Sequence, residues 1–570
     1  NLPYPWAKMV HGSRFPELPA CPDLTFTQYL LGKAAEYADR LAIDHPENGP
    51  LLKYSQLKER LDDVDRRLAV YNIGFGDVIA TLAGNTLDYI ILCLGALKRG
   101  ITVVPINPAM KKMEIIKYLS GVHCVFAEKD CIEKVWEATA ELDTPIMVIE
   151  MEHFFSVDTS DVEVQQQNQE PPFDVETTAF IFYSSGTTGP PKGICIPHRA
   201  VIAHCQIGDL LYSQPSGHRI PLPEDESNIH GVLPLFHAGG LITLFIMLAR
   251  GMTIVLNGKF DEDKFVQILI DKKISVIYLV PAVLPVLSLL PPDVALPDLK
   301  LVYVGSAPLT RDDASAFTAR FPDCALAQMY GLTEAGTLLF ATMEGGDPTN
   351  AGVAMPSVYF KIVAEDGAEC PPEVPGDIIV KSATMATGYL TGEKFSEWFP
   401  TGDVGSVDED GALTIVGRTK DMIKVRGWQV NPYEIECAIM HAVEGVEECA
   451  VVGVDMGGNV LPHAFIVGRP NVDEVIAFVK ENFISYKHLA GVSLVPELPK
   501  TASGKLQRNA LVQTTTADDE DVYPLPITLD DEDNAEAIVI PSVHASMNPL
   551  PPMESAERER EEEEEGDSEE

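Results

Sequence analysis

Residues 179–193 read AFIFYSSGTTGPPKG, an apolar run followed by a segment dense in hydroxyl residues and glycines. Small residues of this kind let backbone N–H groups approach phosphate oxygens closely, and the hydroxyls and Lys192 add donors and charge. The segment therefore predicts a polyphosphate-binding loop after a buried strand. It is not the Walker pattern, because Lys192 is followed by Gly193 instead of Ser or Thr. Taken alone, these letters would equally suit a flexible loop.

On either side of this segment, short β-branched or apolar runs alternate with longer helix-like segments between about Leu24 and Val416. The clearest strand candidates are residues 78–82, 101–104, 254–256, 276–280 and 301–304. This alternation predicts an α/β protein with largely buried strands. The most apolar stretch, 231–248, is interrupted by Pro234, His237, Gly239 and Gly240, which favours a buried strand and helix over a membrane span.

A second region has strand candidates at 448–454 and 464–467 and a helical run at 471–483. We therefore predict a large N-terminal domain of mixed sheets with helices, plus a small, mobile α+β C-terminal domain. The predicted bounds are an N-terminal extension (1–24), the large domain (25–417), a hinge (418–421), the small domain (422–512) and an acidic disordered tail (513–570). Residues 158–174, rich in Gln, Glu and Pro, are predicted to form an exposed loop.

The net charge of −43 argues against nucleic acid or an anionic membrane as the main partner. The tail carries close to half of it, and its composition is typical of a solvated, disordered segment. Its acidic run, 561–565, could alternatively bind a basic protein. Ten scattered cysteines without a CxxC pair indicate reduced thiols of an intracellular protein. The first residues show no signal pattern and the last no peroxisomal address, so we expect a cytoplasmic location.

Four further motifs follow the phosphate loop: QMYGLTE at 328–334, TGD at 401–403, GRTKD at 417–421 and PKTASGK at 499–505. The five motifs, in this order, resemble those of the adenylate-forming superfamily, which contains acyl- and aryl-CoA synthetases, firefly luciferase and the adenylation domains of peptide synthetases. The resemblance covers roughly residues 20–512. It implies that ATP and Mg²⁺ are used to activate a small-molecule carboxylic acid as an acyl adenylate.

The resemblance also implies a nucleotide site. Its ATP or AMP contacts would be Ser184, Ser185, Gly186, Thr187, Thr188, Gly189, Lys192, Ser306, Ala307, Pro308, Gln328, Tyr330, Gly331, Thr333, Asp403, Arg418, Gln429 and Lys505. Tyr330 would lie against the adenine and Thr333 would contact the AMP phosphate. Asp403 suits the ribose hydroxyls, because one carboxylate accepts two hydrogen bonds, and Arg418 adds a permanent cation. These groups match a transition state that needs positioning and charge neutralisation.

Catalytic roles are implied for Lys505, His237, Thr188, Glu334 and Lys424. Lys505 would meet the carboxylate and phosphate oxygens during adenylation, and Thr188 and Glu334 would hold Mg²⁺. The small domain would then rotate about Lys420, so that Lys505 leaves the site before the second half reaction.

Other segments resemble 4-coumarate:CoA ligases and related acyl-CoA synthetases. In the motif PLFH, 234–237, His237 would lie beside the substrate carboxylate. Coenzyme A would be contacted by Lys259, Lys424, Arg426 and Gly427. The acid would lie against His237, Gly239, Gly240, Gly331 and Thr337. These segments are apolar with small residues and lack an obvious acidic partner for an amino group, which favours an aromatic or medium-chain aliphatic acid.

Three positions depart from the usual family pattern: Arg426 replaces Lys, Trp428 replaces Phe, and Ser382 stands where many relatives have Gly. The departures concern the thiol channel, so a carrier-protein thiol or another acceptor stays open as an alternative to coenzyme A. A further alternative is an inactive scaffold or binding protein that acts through its acidic tail. Competent residues at the catalytic positions speak against it.

Overall fold

The computed structural model describes residues 11–159, 162, 173–184, 191–215, 217, 219–223, 226–258, 260–425, 428–456, 460–500, 506–514 and 522–524. These residues belong to one compact unit of the chain. They form a large N-terminal domain with three sheets and a smaller C-terminal domain, as predicted.

The first sheet carries the predicted phosphate-loop strand. Its seven strands, in spatial order, are β19 (Gly388–Tyr389), β9 (Lys192–Pro197), β8 (Thr178–Ser184), β5 (Thr102–Ile106), β4 (Val78–Leu82), β6 (Cys124–Ala127) and β7 (Met147–Glu150). Strands β8 and β9 form an antiparallel hairpin with Ser184 opposite Lys192, whereas β8, β5, β4, β6 and β7 run parallel. The phosphate segment is therefore the connection of this hairpin.

The second sheet is the largest. Its nine strands, in spatial order, are β16 (Val353–Ala354), β15 (Gly336–Ala341), β14 (Ala325–Leu332), β13 (Leu301–Val304), β12 (Val276–Leu279), β10 (Asn228–Gly231), β11 (Thr253–Leu256), β2 (Leu41–His45) and β3 (Gly49–Lys53). The six strands from β14 to β2 are parallel. The five strand candidates of the large domain lie within two residues of β4, β5, β11, β12 and β13.

The third sheet is antiparallel and leads to the predicted hinge. Its strands are β1 (His11–Gly12), β17 (Val358–Val363), β18 (Gly376–Ser382), β20 (Phe399–Val407) and β21 (Leu413–Arg418).

Helices cover both faces of the two larger sheets. The helices of the large domain are α1 (Phe26–Ala34), α2 (Tyr54–Val70), α3 (Leu87–Lys98), α4 (Lys112–Ile115), α5 (Ile132–Thr139), α6 (Met151–Ser156), α7 (His198–Tyr212), α8 (Ala238–Ala249), α9 (Glu262–Asp271), α10 (Leu284–Ser288) and α11 (Arg311–Arg320). Helices α1, α2, α3, α7 and α8 share one buried core with both sheets, while α9 to α11 and α4 to α5 pack on the outer faces. The result is a five-layered arrangement of helices and sheets.

The pattern of α2 shows how sequence periodicity produces this packing. Tyr54, Leu57, Leu61, Val64 and Leu68 are all buried. Their spacing of three or four residues places them on one face of the helix, which therefore faces the core. The apolar stretch 231–248 becomes the end of β10 and most of α8, as predicted. The described helices include none with the length and apolar character needed to cross a membrane.

The smaller domain contains two sheets and three helices. Its elements are β22 (Ile423–Val425), β23 (Trp428–Val430), α12 (Pro432–Ala442), β24 (Val446–Asp455), β25 (Val460–Gly468), α13 (Val472–Asn482), β26 (Gly491–Leu494), α14 (Arg508–Thr514) and β27 (Val522–Pro524). Strands β24 to β27 form a four-stranded sheet in sequence order. Helix α13 begins where Asn471 caps it by accepting a hydrogen bond from the Asp473 N–H at 3.0 Å.

Two features differ from the sequence predictions. Helix α14 runs to Thr514 and β27 pairs with β26, so regular structure continues past position 512, where we drew the end of the small domain. In the predicted exposed loop 158–174, Thr159 is buried and donates a hydrogen bond to Asp63 at 2.9 Å. Most other residues of that loop, and the tail from 525 onward, lie outside the described residues.

Candidate active site

The carboxyl ends of parallel strands in the nine-stranded sheet bring several predicted residues to one edge. Ser306, Ala307 and Pro308 follow β13 and are exposed, and Pro234 to His237 follow β10. Val304 pairs with Gln328 of β14, so Tyr330 comes to the same edge. Ligands of open α/β sheets bind in the crevice at this end of the strands. The sheet therefore provides the floor of a candidate site.

A tyrosine, an aspartate and an arginine form a connected chain at this edge. The Tyr330 hydroxyl donates to Asp403 Oδ2 at 2.6 Å, and Arg418 Nε lies 3.3 Å from Asp403 Oδ1. Asp403 and Arg418 are cross-strand partners on β20 and β21, which fixes their spacing. Burial, followed by the negative charge of Asp403, raises the pKa of Tyr330 well above its usual range. Tyr330 is therefore a permanent hydrogen-bond donor to a buried carboxylate.

Tyr389 contacts the predicted phosphate ligand Lys192 and feels the charge of the predicted metal ligand Glu334. The Lys192 ammonium lies over its ring, 4.6 Å from the centroid. Burial raises the pKa of Tyr389, and the negative charges of Glu334 and Glu393 raise it further. Tyr389 therefore contacts Lys192 of the seven-stranded sheet and lies within electrostatic reach of Glu334, in the loop after β14 of the nine-stranded sheet. No motif pointed to Tyr389.

The loop that carries Thr333 and Glu334 connects β14 to β15. It requires glycine at position 331, because a Cβ there would lie 2.5 Å from the Gly336 carbonyl oxygen. Gly331 therefore serves the backbone packing of this loop. Within the described part of the chain, the side-chain oxygen of the nearby Gln328 is buried without a hydrogen-bond partner.

The predicted hinge residue Lys420 lies within electrostatic reach of the same site. Burial and the positive charge of Arg418 lower the pKa of Lys420, against the opposing effect of Asp421, Asp403 and Glu334. The side chains of the two residues next to Lys420 in the sequence contact different domains. The Thr419 hydroxyl donates to Asp377 of the large domain at 2.8 Å, whereas Asp421 lies 3.8 Å from Arg508 of the small domain.

The predicted acid-binding residues lie around the start of α8. His237 is the half-buried N-cap of this helix, and its N–H donates to the Pro234 carbonyl at 3.1 Å. Gly240 is required by close packing, because a Cβ there would lie 2.2 Å from the Pro234 oxygen, whereas a Cβ on Gly239 would meet nothing within 4 Å. Gly239 therefore leaves open space beside His237.

Behind this turn lies a small, mostly apolar cavity. Its volume is about 20 Å³, and its lining includes Leu235, Gly240, Thr243, Leu244, Met247 and Tyr278. Such a volume holds about one water molecule. Nearby, the Thr337 N–H donates to Nε2 of the buried His204 at 3.0 Å, and His204 Nδ1 contacts the Ala200 carbonyl at 2.7 Å. Burial lowers the pKa of His204 to about 4, so it holds Thr337 as a neutral ring.

Asn85 positions the turn that presents His237, although no sequence signal pointed to it. Its side-chain amide donates to the carbonyls of Gly231 at 3.2 Å and Leu233 at 2.9 Å, and its oxygen accepts from the Leu235 N–H at 3.0 Å. These contacts span about 150 positions of sequence, so only the folded chain brings them together.

We expect Asn85→Ala to lower the rate of the reaction at this site about tenfold. The change removes three hydrogen bonds, each contributing about 1 kcal/mol, and releases the turn that carries His237. The control is Asn482→Ala, an exposed residue that donates to the Phe478 carbonyl in α13. Steady-state rates of both variants test the prediction. Equal rates for the two variants would contradict it.

Other predicted residues lie apart from this cluster or outside the described chain. Lys424 is exposed on β22 and pairs with Glu365 of the large domain at 3.2 Å. Outside the described residues are Ser185, Gly186, Thr187, Thr188, Gly189, Lys259, Arg426, Gly427 and Lys505, and the side chains of Ser184 and Gln429. Their roles stay predictions.

The comparisons with known proteins identify the family of this two-domain fold. A family model described as AMP-binding enzyme matches residues 31–390, and one described as AMP-binding enzyme C-terminal domain matches residues 434–505. The chain belongs to the AMP-binding enzyme family.

Several relatives of the chain are named as CoA ligases. The chain is 30% identical over 539 residues to 4-coumarate–CoA ligase-like 9 of rice, Oryza sativa subsp. japonica, with 88% of this chain and 95% of the relative covered. It is 28% identical over 534 residues to 4-coumarate–CoA ligase 3 of rice, with 88% and 94% covered. O-succinylbenzoate coenzyme A synthetase of Bacillus subtilis, solved with ATP and a magnesium ion, shares the fold, with a TM-score of 0.74, 23% identity, and 85% and 98% covered.

Proposed function

We propose that this protein is an AMP-forming acyl- or aryl-CoA synthetase. In the first step, a carboxylate oxygen of the acid attacks the α-phosphorus of ATP, and the bond to pyrophosphate breaks. In the second, the thiol sulfur of coenzyme A attacks the acyl carbon, loses its proton, and AMP leaves. The observation that carries the proposal is the connected set of Tyr330, Asp403 and Arg418. In this set a buried carboxylate, which suits the ribose hydroxyls, lies beside a permanent cation, which suits a phosphate. The relatives that are named as CoA ligases support coenzyme A as the acceptor of the acyl group.

The charged residues around Tyr330 and Asp403 suit a nucleotide bound with a metal ion. Lys192 and Arg418 would face phosphate oxygens, and Lys505 would reach the α-phosphate in the adenylation step. Glu334 supplies a half-buried carboxylate. Within the described residues, no cluster of three or more His, Cys, Asp or Glu could hold a metal by itself. Mg²⁺ commonly binds through one or two carboxylates and the substrate phosphates, so the Glu334 carboxylate and the phosphates of ATP would supply its ligands.

Glu334 and the Thr188 hydroxyl would hold this ion, which would neutralise charge on the phosphates. Coenzyme A would run past Lys259, Arg426, Gly427 and Lys424. A cytoplasmic location is part of the same proposal.

The apolar surroundings of His237 support an aromatic or medium-chain aliphatic acid. Gly239 leaves room beside the histidine, whereas the cavity behind Gly240, lined by Leu244 and Met247, has a volume of only about 20 Å³. The acid would therefore lie along the open side of the turn, with its carboxylate near His237. A planar or slender acid fits this space better than a bulky branched one.

The direct test is to incubate the protein with ATP, Mg²⁺ and a panel of aromatic and aliphatic acids, with and without coenzyme A, and to identify the products by mass spectrometry. We expect an acyl-CoA together with AMP and pyrophosphate. An acyl adenylate that accumulates and ignores coenzyme A would instead favour a carrier-protein thiol or another acceptor. No product from any acid would favour a scaffold protein.

We expect Lys424→Ala to impair thioester formation more than adenylate formation, by about tenfold against less than twofold. In the proposed rotation, Lys424 approaches the nucleotide only for the second half reaction, and its exposed ion pair with Glu365 is weak enough to break. Single-turnover assays of each half reaction measure the two rates. The matched control, Glu365→Gln, should leave both unchanged. Equal losses in both half reactions of Lys424→Ala would count against the rotation.

A further inference from the structure

Residues 382–390 form a bridge between the two sheets that carry the candidate site. Toward the nine-stranded sheet, the Thr384 hydroxyl donates to the Ala335 carbonyl at 2.9 Å, and the Ala386 N–H donates to the Glu334 carbonyl at 3.0 Å. Toward the seven-stranded sheet, the Thr387 N–H donates to the Cys195 carbonyl at 3.0 Å. One short segment therefore ties the loop of Glu334 to the strand that begins with Lys192.

The bridge itself is rigidly held. Arg199 of α7 donates to the carbonyls of Ala383 and Met385, the latter at 3.1 Å, and is anchored by Glu176 at 2.7 Å. Thr384 is only 1% exposed. A buried segment whose carbonyls are held by a guanidinium has few alternative positions.

Ser382 and Thr384 form a directed pair of hydroxyls within this bridge. Their oxygens lie 2.5 Å apart, and Ser382 also accepts from the Thr384 N–H at 3.0 Å. The Thr384 proton is committed to the Ala335 carbonyl, which can only accept, so Ser382 donates to Thr384. Gly336 makes room for this contact, since a Cβ there would lie 2.1 Å from the Thr384 hydroxyl oxygen. The hydroxyl is thus locked to the backbone one residue after Glu334.

We infer that Thr384, supported by Ser382, is a positioning residue that fixes Glu334 relative to strand β9, which begins with Lys192. Its hydroxyl holds the loop of residues 333–336 against the bridge, and the bridge holds strand β9. Neither residue touches the substrate in this account. The inference rests on the proposed function, because it assigns Glu334 to the metal–nucleotide complex. It predicts an effect on nucleotide binding and not on acid binding, because the turn of His237 is held separately by Asn85 and the acid-lining Thr337 by His204.

The test uses Thr384→Val, which keeps the shape and removes the hydroxyl, with Thr384→Ser as the conservative variant. ATP–pyrophosphate exchange is measured at varied Mg²⁺·ATP and at varied acid. A lost hydrogen bond to a buried carbonyl corresponds to about a tenfold effect, so Thr384→Val should raise the KM for Mg²⁺·ATP about tenfold. The KM for the acid should stay within twofold, and Thr384→Ser should restore the wild-type value. An unchanged KM for Mg²⁺·ATP, or an equal rise in both constants, would overturn the inference.

If Thr384→Val does not fold, Ser382→Ala carries the test, with an expected rise of about threefold in the same KM. Direct binding of Mg²⁺·ATP by calorimetry separates this inference from the proposed function. A wild-type protein that makes no adenylate but binds Mg²⁺·ATP about tenfold more tightly than Thr384→Val would refute the function and keep the positioning role. A wild-type protein that does not bind Mg²⁺·ATP would overturn both.

Discussion

Replacing Lys505 by alanine is expected to slow acyl-adenylate formation by a factor of about 10² to 10³, the range seen when one preorganised transition-state donor is removed. The physical reason is charge: the attack of a carboxylate on the α-phosphate concentrates negative charge that a positioned ammonium neutralises. Lys505 belongs to the segment 501–505, and the residues on both sides of that segment are paired. Lys500 and Leu506 form an antiparallel bridge, and the Gln507 N–H donates to the Pro499 carbonyl at 2.8 Å. ATP–pyrophosphate exchange measures the rate.

The matched control for Lys505 is Lys500→Ala, directly before the same segment. Lys500 is exposed and pairs with Glu448 at 2.5 Å, a surface ion pair whose loss costs little. This variant should keep the exchange rate within twofold. A loss of less than threefold in Lys505→Ala would remove its assigned role.

Replacing Arg508 by methionine is expected to destabilise the small domain by about 3–5 kcal/mol, the cost of breaking a buried ion pair by removing one partner. Arg508 bonds to the Glu436 carboxylate, with one contact of 2.9 Å, and to the Val451 carbonyl at 2.7 Å. Glu436 is only 4% exposed and also accepts from the Val451 N–H at 2.6 Å. Urea denaturation, followed by hydrogen exchange in α12 and β24, measures the loss.

The control for Arg508 is the double variant Arg508→Met, Glu436→Gln. A neutral glutamine can still accept the Val451 N–H and leaves no buried charge, so we expect it to recover more than half of the lost stability. A loss below about 1 kcal/mol in the single variant would show that the carboxylate finds water instead.

The strands were the most predictable part of the fold. Strands β4 and β13 coincide with the predicted runs 78–82 and 301–304, because continuous apolar runs bounded by polar residues leave little freedom for a parallel strand buried on both faces. The antiparallel sheet of β17, β18, β20 and β21 was not predicted strand by strand. Burial alternates along β17, but the apolar Tyr359 and Val363 lie on its less buried face, so the sequence does not show the alternation that marks a half-buried strand.

In the candidate site, the motifs identified Tyr330, Asp403 and Arg418 as residues but not as a connected chain. Side chains that act through others carried no sequence signal at all. Asn85 and Thr384 each bond to backbone groups that lie 49 or more positions away in the sequence. An isolated asparagine or threonine looks the same in the sequence whether it caps a turn on the surface or holds a buried loop in place. Only the folded contacts distinguish the two.

The anchoring on either side of Lys420 determines what kind of motion the small domain could make. The Thr419 side chain is tied to the large domain and the Asp421 side chain contacts the small one, so one residue with two soft torsions lies between these contacts. The N–H groups of Asp421 and Met422 also donate to the Arg418 carbonyl, at 3.0 and 3.1 Å, and a rotation about Lys420 would have to break these two bonds. A link this short allows the small domain to rotate but not to move far from the large one. In the proposed reaction, the small domain would rotate in place and present different faces to the nucleotide in the two half reactions.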